Sequence, residues 1–175
     1  QRKWLLTLSL LAVVFITACK KDNSTNNPSN ETVTASIFGR VTDENGNSVS
    51  GATASAGGKS ITTDLNGIFK LNNVTLNKKY ALKINKAGFF DGSRTFIASS
   101  GKINNVQIRL LTKTLKGSFT ASTGATINVT ANASVQFPAN AIKNADGSVY
   151  SGTVKVYAAF LDPTDAELFS KMPGD

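Results

Sequence analysis

No histidine occurs anywhere in the sequence, and the single cysteine, Cys19, stands at the end of an apolar run. Ser-His-Asp and Cys-His nucleophilic catalysis are thereby excluded, as is every zinc site built on paired histidines or cysteines. Carboxylates remain. Asp43, Glu44 and Asp64 fall beside turn residues, and Asp162, Asp165 and Glu167 cluster near the carboxyl end. Two carboxylates cleave a glycosidic bond only when a cleft holds them a defined distance apart, and nothing in the spacing of these six dictates one. An aspartate beside a turn more commonly caps that turn through its own backbone. Asp43-Glu44-Asn45-Gly46-Asn47 carries oxygen ligands suited to calcium but lacks the distal acidic ligand of a complete calcium loop. The sequence therefore assigns no catalytic residue, no metal ligand and no cofactor, and the chain is read as not an enzyme within these residues.

Aromatic side chains are the other chemistry to weigh, because a sugar ring stacks on a flat exposed aromatic face. Trp4 is the only tryptophan, and it lies in the apolar leader. Tyr80, Tyr150 and Tyr157 each alternate with apolar residues, a pattern that favours packing in or at the edge of a sheet. Phe89 and Phe90 are adjacent, so in a strand they would face opposite ways, one into the core and one out. They are the candidate ligand-facing pair, with Asn and Asp as polar partners. The Asn-x-Ser/Thr triplets, at Asn73 and Asn128 for example, are compositional in so Asn- and Thr-rich a chain.

Cys19 has a specific setting. Arg2 and Lys3 form a basic head, Trp4 to Ile16 an apolar stretch interrupted only by Thr7 and Ser9, and Thr17 and Ala18 a small-residue step. These are the three parts of a secretory signal, and the run is too short for the roughly 20 apolar residues that cross a bilayer. Ile16-Thr17-Ala18-Cys19 resembles a bacterial lipobox. The resemblance implies cleavage between Ala18 and Cys19, a diacylglyceryl group on the Cys19 thiol and an acylated new amino terminus. Several acyl chains, at about 0.8 kcal/mol per buried CH₂, anchor stably where one would be marginal. Otherwise an exported chain would carry one leftover thiol with no partner.

Loss of residues 1–18 removes Arg2 and Lys3, leaving 17 basic against 11 acidic residues, a net charge of +6. The lysines are spread along the sequence rather than grouped in one stripe, so no nucleic-acid partner is expected, and a solvated face is the plainer reading. Residues 19–34, beginning Cys19-Lys20-Lys21-Asp22, are polar and lack apolar periodicity, which marks a flexible tether. This start is similar to that of many Bacteroidota lipoproteins. The similarity implies the outer membrane as location and, through the charge at Asp22, a lean towards its outer face.

From residue 35 short alternating runs replace the tether: SIFGRVTD, GATASAG, SITTD, GIFKLNNV, KYALKINKAG and NVQIRLL. Turn residues separate them, and no helical window of useful length appears. Half-buried strands joined by Asn-Gly turns predict an all-β sandwich. Ile37, Val41, Phe69, Leu71, Leu82 and Ile84 occupy the positions that would fill its interior. Ile37-x-Gly39-x-Val41-x-Asp43, Gly46, Gly51-Ala52, Thr63-Asp64-x-x-Gly67-x-Phe69 and Lys86-x-Gly88-Phe89 occur in the order seen in carboxypeptidase regulatory-like domains. Over residues 35–111 the chain resembles that family, which implies a transthyretin-type, immunoglobulin-like sandwich of about seven strands. The family name marks an accessory module, because the zinc-binding motifs of the catalytic domain have no counterpart here.

Residues 112–175 carry a second β-like pattern: LKGSFTAS, ATINVTA, ASVQFPANAI and TVKVY, with a strand ending at Pro138. Asp146-Gly147 followed by Gly152 echoes Gly46 and Gly51, which indicates one turn chemistry used twice. Ala166 to Lys171 is the best helical candidate. VQFPANAI with the DGSVYSGTVKVYAAFLDPTD stretch resembles β-modules that follow regulatory-like domains in Bacteroidota lipoproteins, and is loosely similar to the opening of ZU5 domains. Some 60 residues are few for a complete sandwich, so this second β-domain is expected to be incomplete and the chain to be a fragment. The expected role is a membrane-anchored structural or interaction module of the cell envelope, its partner a glycan or an envelope protein. Two alternatives are a carbohydrate-binding module of the starch-binding-like fold and the accessory part of an enzyme whose catalytic domain lies beyond residue 175.

Overall fold

The computed structural model describes residues 31–172. The signal segment 1–18, the cleavage point at Ala18, the lipidation site Cys19 and most of the tether lie outside the described residues. Within them the chain is all-β, with one short helix.

Two sheets form the first unit. β1 (Thr32–Asp43) lies centrally in a three-stranded sheet, antiparallel to β4 (Ile68–Asn77) and parallel to β7 (Ile103–Leu110). The second sheet has the order β3 (Lys59–Thr62), β2 (Thr53–Ala56), β5 (Lys79–Asn85), β6 (Gly92–Ile97), all antiparallel. Strand alternation directs one face of each sheet inward. Ile37, Val41, Leu82 and Ile84 are fully buried, and Phe69 and Leu71 nearly so, as the alternation predicts. Among the described residues the only buried polar side chain is Thr63. Its hydroxyl accepts the Ala52 N–H (2.9 Å) and donates to the Val49 carbonyl (2.7 Å), so its burial leaves no unsatisfied group.

Two details depart from the sequence reading. β1 starts at Thr32, inside the segment expected to be tether through residue 34, because Val33 extends the inward alternation of Ala35 and Ile37 and packs in the same core. β6 has no counterpart among the expected runs. Its inward positions are Gly92, Arg94 and Phe96, in register with Ile84, Leu82 and Tyr80, and an arginine and a glycine at core-side positions erase the apolar signal.

One turn recurs three times. At Asp43, Asp64 and Asn144 the carbonyl accepts the N–H of a glycine three residues on (Gly46, Gly67, Gly147), and the N–H donates to the carbonyl four residues on. All three glycines have positive φ, at 85°, 71° and 84°, which only glycine adopts without strain.

The second unit consists of two antiparallel pairs, the first closed around the second in sequence. β8 (Leu115–Thr120) pairs with β11 (Thr153–Tyr157), and β9 (Ala125–Thr130) with β10 (Ala133–Phe137). β10 ends at Phe137, directly before Pro138. Phe119, Ile127 and Val156 form its small core, with the Phe137 ring 5.0 Å from that of Phe119. The helix α1 (Leu168–Lys171) falls within the expected 166–171 window.

Candidate functional site

The carboxylates singled out in the sequence are each engaged by a hydrogen-bond or ion-pair partner. Asp43 Oδ1 accepts the N–H groups of Asn45 and Asn47, and Oδ2 accepts Asn47 Nδ2. Burial pushes the Asp43 carboxyl up, but hydrogen bonds from the Asn47 side chain and from the N–H groups of Asn47, Asn45 and Gly46 outweigh it and hold the group below its ordinary value. Asp64 Oδ1 caps its turn in the same way, through Asn66 and Ile68. Glu44 Oε2 accepts the Thr112 N–H, and Asp162 Oδ1 accepts both the N–H and the hydroxyl of Thr164. Among the described residues no group of three metal-ligating side chains comes together.

Asp165 and Glu167 instead belong to a strap that closes the seam between β6 and β7. Arg109 of β7 donates to both carboxylate oxygens of Glu167, and Lys171 pairs with Asp165. Arg94 starts on the core side of β6 and reaches out to donate to the carbonyls of Phe169 and Ser170, both at 3.3 Å. The hydrogen bond and charge of Arg109 hold Glu167 below its ordinary 4.5, and the hydrogen bond from Lys171 holds Asp165 below 3.8. A carboxyl whose folded pKa is depressed contributes stability above its ordinary value, and loses it as the pH falls through the folded value. Backbone amides of 165–172 are therefore expected to lose hydrogen-exchange protection on acidification below about pH 4.5, while those of β1 keep theirs. Glu167→Gln should remove the share of this acid dependence that Glu167 carries and leave that of Asp165. Exposed pairs of this kind are weak, so the change is local to the strap.

The flagged aromatics separate. Phe89 and Phe90 lie beyond the end of β5, in a turn whose Phe89 bridges to Thr112, rather than in a strand. Phe89 is half-buried, packs against the main core and lines an open cleft of about 510 Å³ with Thr53, Asn85, Lys86, Asp91 and Lys113. Phe90 lines a different, small cavity beneath the strap, with Arg94 and Met172. Tyr80 packs on the core while its hydroxyl accepts the Gly57 N–H at 2.8 Å. The Tyr150 hydroxyl donates to the Thr153 carbonyl, and the Tyr157 ring has Lys113 Nζ 5.2 Å from its centre.

The cleft beside Phe89 continues onto the outer face of the β3–β2–β5–β6 sheet. A second hollow of about 310 Å³ shares its Thr53, Asn85 and Asp91 and adds Ser55, Lys83 and Ser93. Register places Lys83 between Ser55 and Ser93, and Asn85 beside Thr53. Lys79, four residues before Lys83, points the same way and is also exposed. Lysines that look dispersed in sequence are thus aligned on one face. The signal was present in the strand period: Lys79, Lys83 and Asn85 share the parity opposite to Leu82 and Ile84.

Residues 36–111 match the family of carboxypeptidase regulatory-like domains, and every motif of the resemblance falls inside that range or at its edge. No curated protein sequence matches the chain. Among solved structures, the chain is similar to one in a type II cohesin–X-dockerin complex from Acetivibrio cellulolyticus, at 19% identity over 45% of this chain and 58% of that one, TM-score 0.38. A protein of Bacteroides fragilis, proposed to be membrane-associated and of unknown function, aligns at 23% identity over 46% of this chain and 28% of its own, TM-score 0.34. A Bacteroides uniformis protein proposed to bind carbohydrate aligns at 16% identity over 53% of this chain and 49% of its own, TM-score 0.35. The chain thus spans between about a quarter and three fifths of these structures.

Proposed function

We propose that the chain is a lipid-anchored protein of the bacterial outer membrane whose β-sandwich serves as a non-catalytic structural and interaction module. The observation that carries the non-catalytic part is the fate of the six flagged carboxylates, each held in a turn, by a backbone N–H or in an ion pair. Glu44, Asp162 and Asp165 do border one hollow of about 250 Å³, but each is already engaged there, Glu44 by the Thr112 N–H, Asp162 by Thr164 and Asp165 by Lys171, so none stands free as an acid or base. The anchor rests on the lipobox Ile16-Thr17-Ala18-Cys19 behind a basic head and a short apolar run. No helix among the described residues is long and apolar enough to cross a membrane. Acylated Cys19 would hold the sandwich beside the outer membrane, with its outer leaflet surface the preferred side, at the distance set by a short polar tether.

Intact mass of the protein extracted from membranes tests this reading. A mature species that begins at Cys19 and is heavier than its sequence by several acyl chains is the expected result. A soluble product with a free Cys19 thiol would overturn the anchor and the location with it.

A second reading, glycan binding by the sandwich, is favoured by one observation. The cleft beside Phe89 joins a half-buried aromatic to the amide of Asn85 and the hydroxyl of Thr53.

A further inference from the structure

We infer that the outer face of the β3–β2–β5–β6 sheet binds an acidic, carboxylate-bearing polysaccharide. This deepens the interaction half of the proposed function. It does not depend on the anchor, since the face is complete within the described residues.

Charge is the first observation. Lys79 and Lys83 project from β5, and Lys86 and Lys113 line the cleft at the end of the same strand. The ion pairs of the described residues are Lys78–Glu31, Arg109–Glu167 and Lys171–Asp165, and none lies on this face. Lys86 Nζ meets only the Gly51 carbonyl, at 3.3 Å, and Lys113 Nζ lies near the Tyr157 ring. Asp91 is the single carboxylate lining either hollow. Four cations against one anion leave a local excess of positive charge that favours an anionic partner.

The shape and chemistry between the lysines select the kind of anion. Lys79 and Lys83 are four strand residues apart, about 13 Å, and Lys86 and Lys113 extend the row further. A row of this length suits an extended polymer better than a single small anion. Its floor consists of Thr53, Ser55, Asn85 and Ser93, short donors and acceptors that match sugar hydroxyls. The floor opens into two connected hollows, so a chain of rings can seat rather than merely touch. An anionic membrane surface would also satisfy the lysines, but interfacial binding requires apolar side chains that insert beside the charges. Of the exposed large apolar residues, Ile97 alone belongs to this row, at its far end opposite Lys79. Lysine, a mobile point charge, also suits carboxylates at irregular spacing along a polymer.

The test uses the full mature chain in non-ionic detergent micelles, with immobilised polygalacturonate as the probe and neutral dextran as the control surface. Binding to polygalacturonate that weakens with added salt, and none to dextran, is expected. K79E/K83E should weaken it by roughly tenfold or more, with K79Q/K83Q as the milder pair should the charge reversal disturb folding. K155E, on an exposed lysine of β11, should leave it unchanged. Both double variants should keep the wild-type unfolding midpoint. Absence of binding, equal binding to dextran, or equal sensitivity to K155E would overturn the proposal. So would binding to micelles containing phosphatidylglycerol, lost in K79E/K83E, with no polysaccharide binding, which would reassign the face to lipid. None of these outcomes bears on the acyl chains of Cys19, so the anchor stands or falls on its own measurement.

Discussion

Alanine in place of Gly67 is expected to destabilise the sandwich by about 2–5 kcal/mol, whereas the same change at Gly46 is expected to cost about 1–2 kcal/mol. The two glycines occupy equivalent positions in the same type of turn, with φ of 71° and 85°, so the backbone penalty of an L side chain in the left-handed region is shared. Surroundings separate them. A Cβ on Gly46 would meet nothing within 4 Å, while one on Gly67 would lie 2.3 Å from the Val41 carbonyl oxygen. That oxygen is fixed, because it accepts the Val49 N–H, and the Val41 N–H in turn donates to the Gly67 carbonyl. Relief would require the β1 backbone to part from the turn. Urea unfolding followed by circular dichroism gives the comparison directly, as a larger fall in midpoint for Gly67→Ala. Equal midpoints for the two variants would show that the turn relaxes away from β1 and that Gly67 is there for its φ alone.

The equivalence of those turns was partly visible in the sequence. Asp-x-Asn-Gly and Asn-x-Asp-Gly are strong turn signatures because the first side chain caps the backbone and the glycine supplies positive φ. The clash that distinguishes Gly67 from Gly46 was not visible, since it depends on β1 lying against the turn, a contact between residues distant in sequence. The same division runs through the fold. Strands with clean alternation, such as β4 and β5, are legible because each apolar residue reports its own facing. β6 is not, because its core-side positions are held by Gly92, where a Cβ would meet Leu110, and by Arg94, whose charged end leaves the core to cap the strap.

The candidate site divides along similar lines. Its polar residues sit in recognisable strands, so the facing of Lys79, Lys83 and Asn85 follows from the period of two. What brings Lys86, Asp91 and Lys113 beside them is the route of the chain after β5 and the return of the chain after β7, which no local pattern encodes. The strap is further from view. Arg109, Arg94 and Glu167 read separately as ordinary charged residues, and only the closing of the β6–β7 seam gives them a joint task. Phe89 illustrates the reverse error of inference. Two adjacent phenylalanines suggested a strand with one ring outward, yet Gly88 at φ 85° turns the chain just before them, and strand parity no longer governs either ring.

Gly39 and Phe69 should show clear energetic coupling. They are direct cross-strand partners between β1 and β4, and on its other side Gly39 is in register with Val106 of β7. A Cβ on Gly39 would stand 2.4 Å from two atoms of the Phe69 ring and 2.8 Å from Val106 Cγ2, so the ring rests directly on the glycine. Phe69 is 3% exposed, and Phe69→Ala is expected to cost about 3–5 kcal/mol through lost burial and the cavity left behind. Gly39→Ala overfills the same place and is expected to cost about 1–3 kcal/mol. Together the changes should cost less than their sum, by about 0.5–3 kcal/mol, because the new methyl enters the space the ring vacates. A double-mutant cycle on urea midpoints measures this difference. Additivity within about 0.5 kcal/mol would mean that the ring is not seated on Gly39. The glycine in Ile37-x-Gly39-x-Val41 would then need another reason. A clear coupling assigns that reason to packing: the central strand forgoes a side chain so that an aromatic from its neighbour can occupy that place in the core.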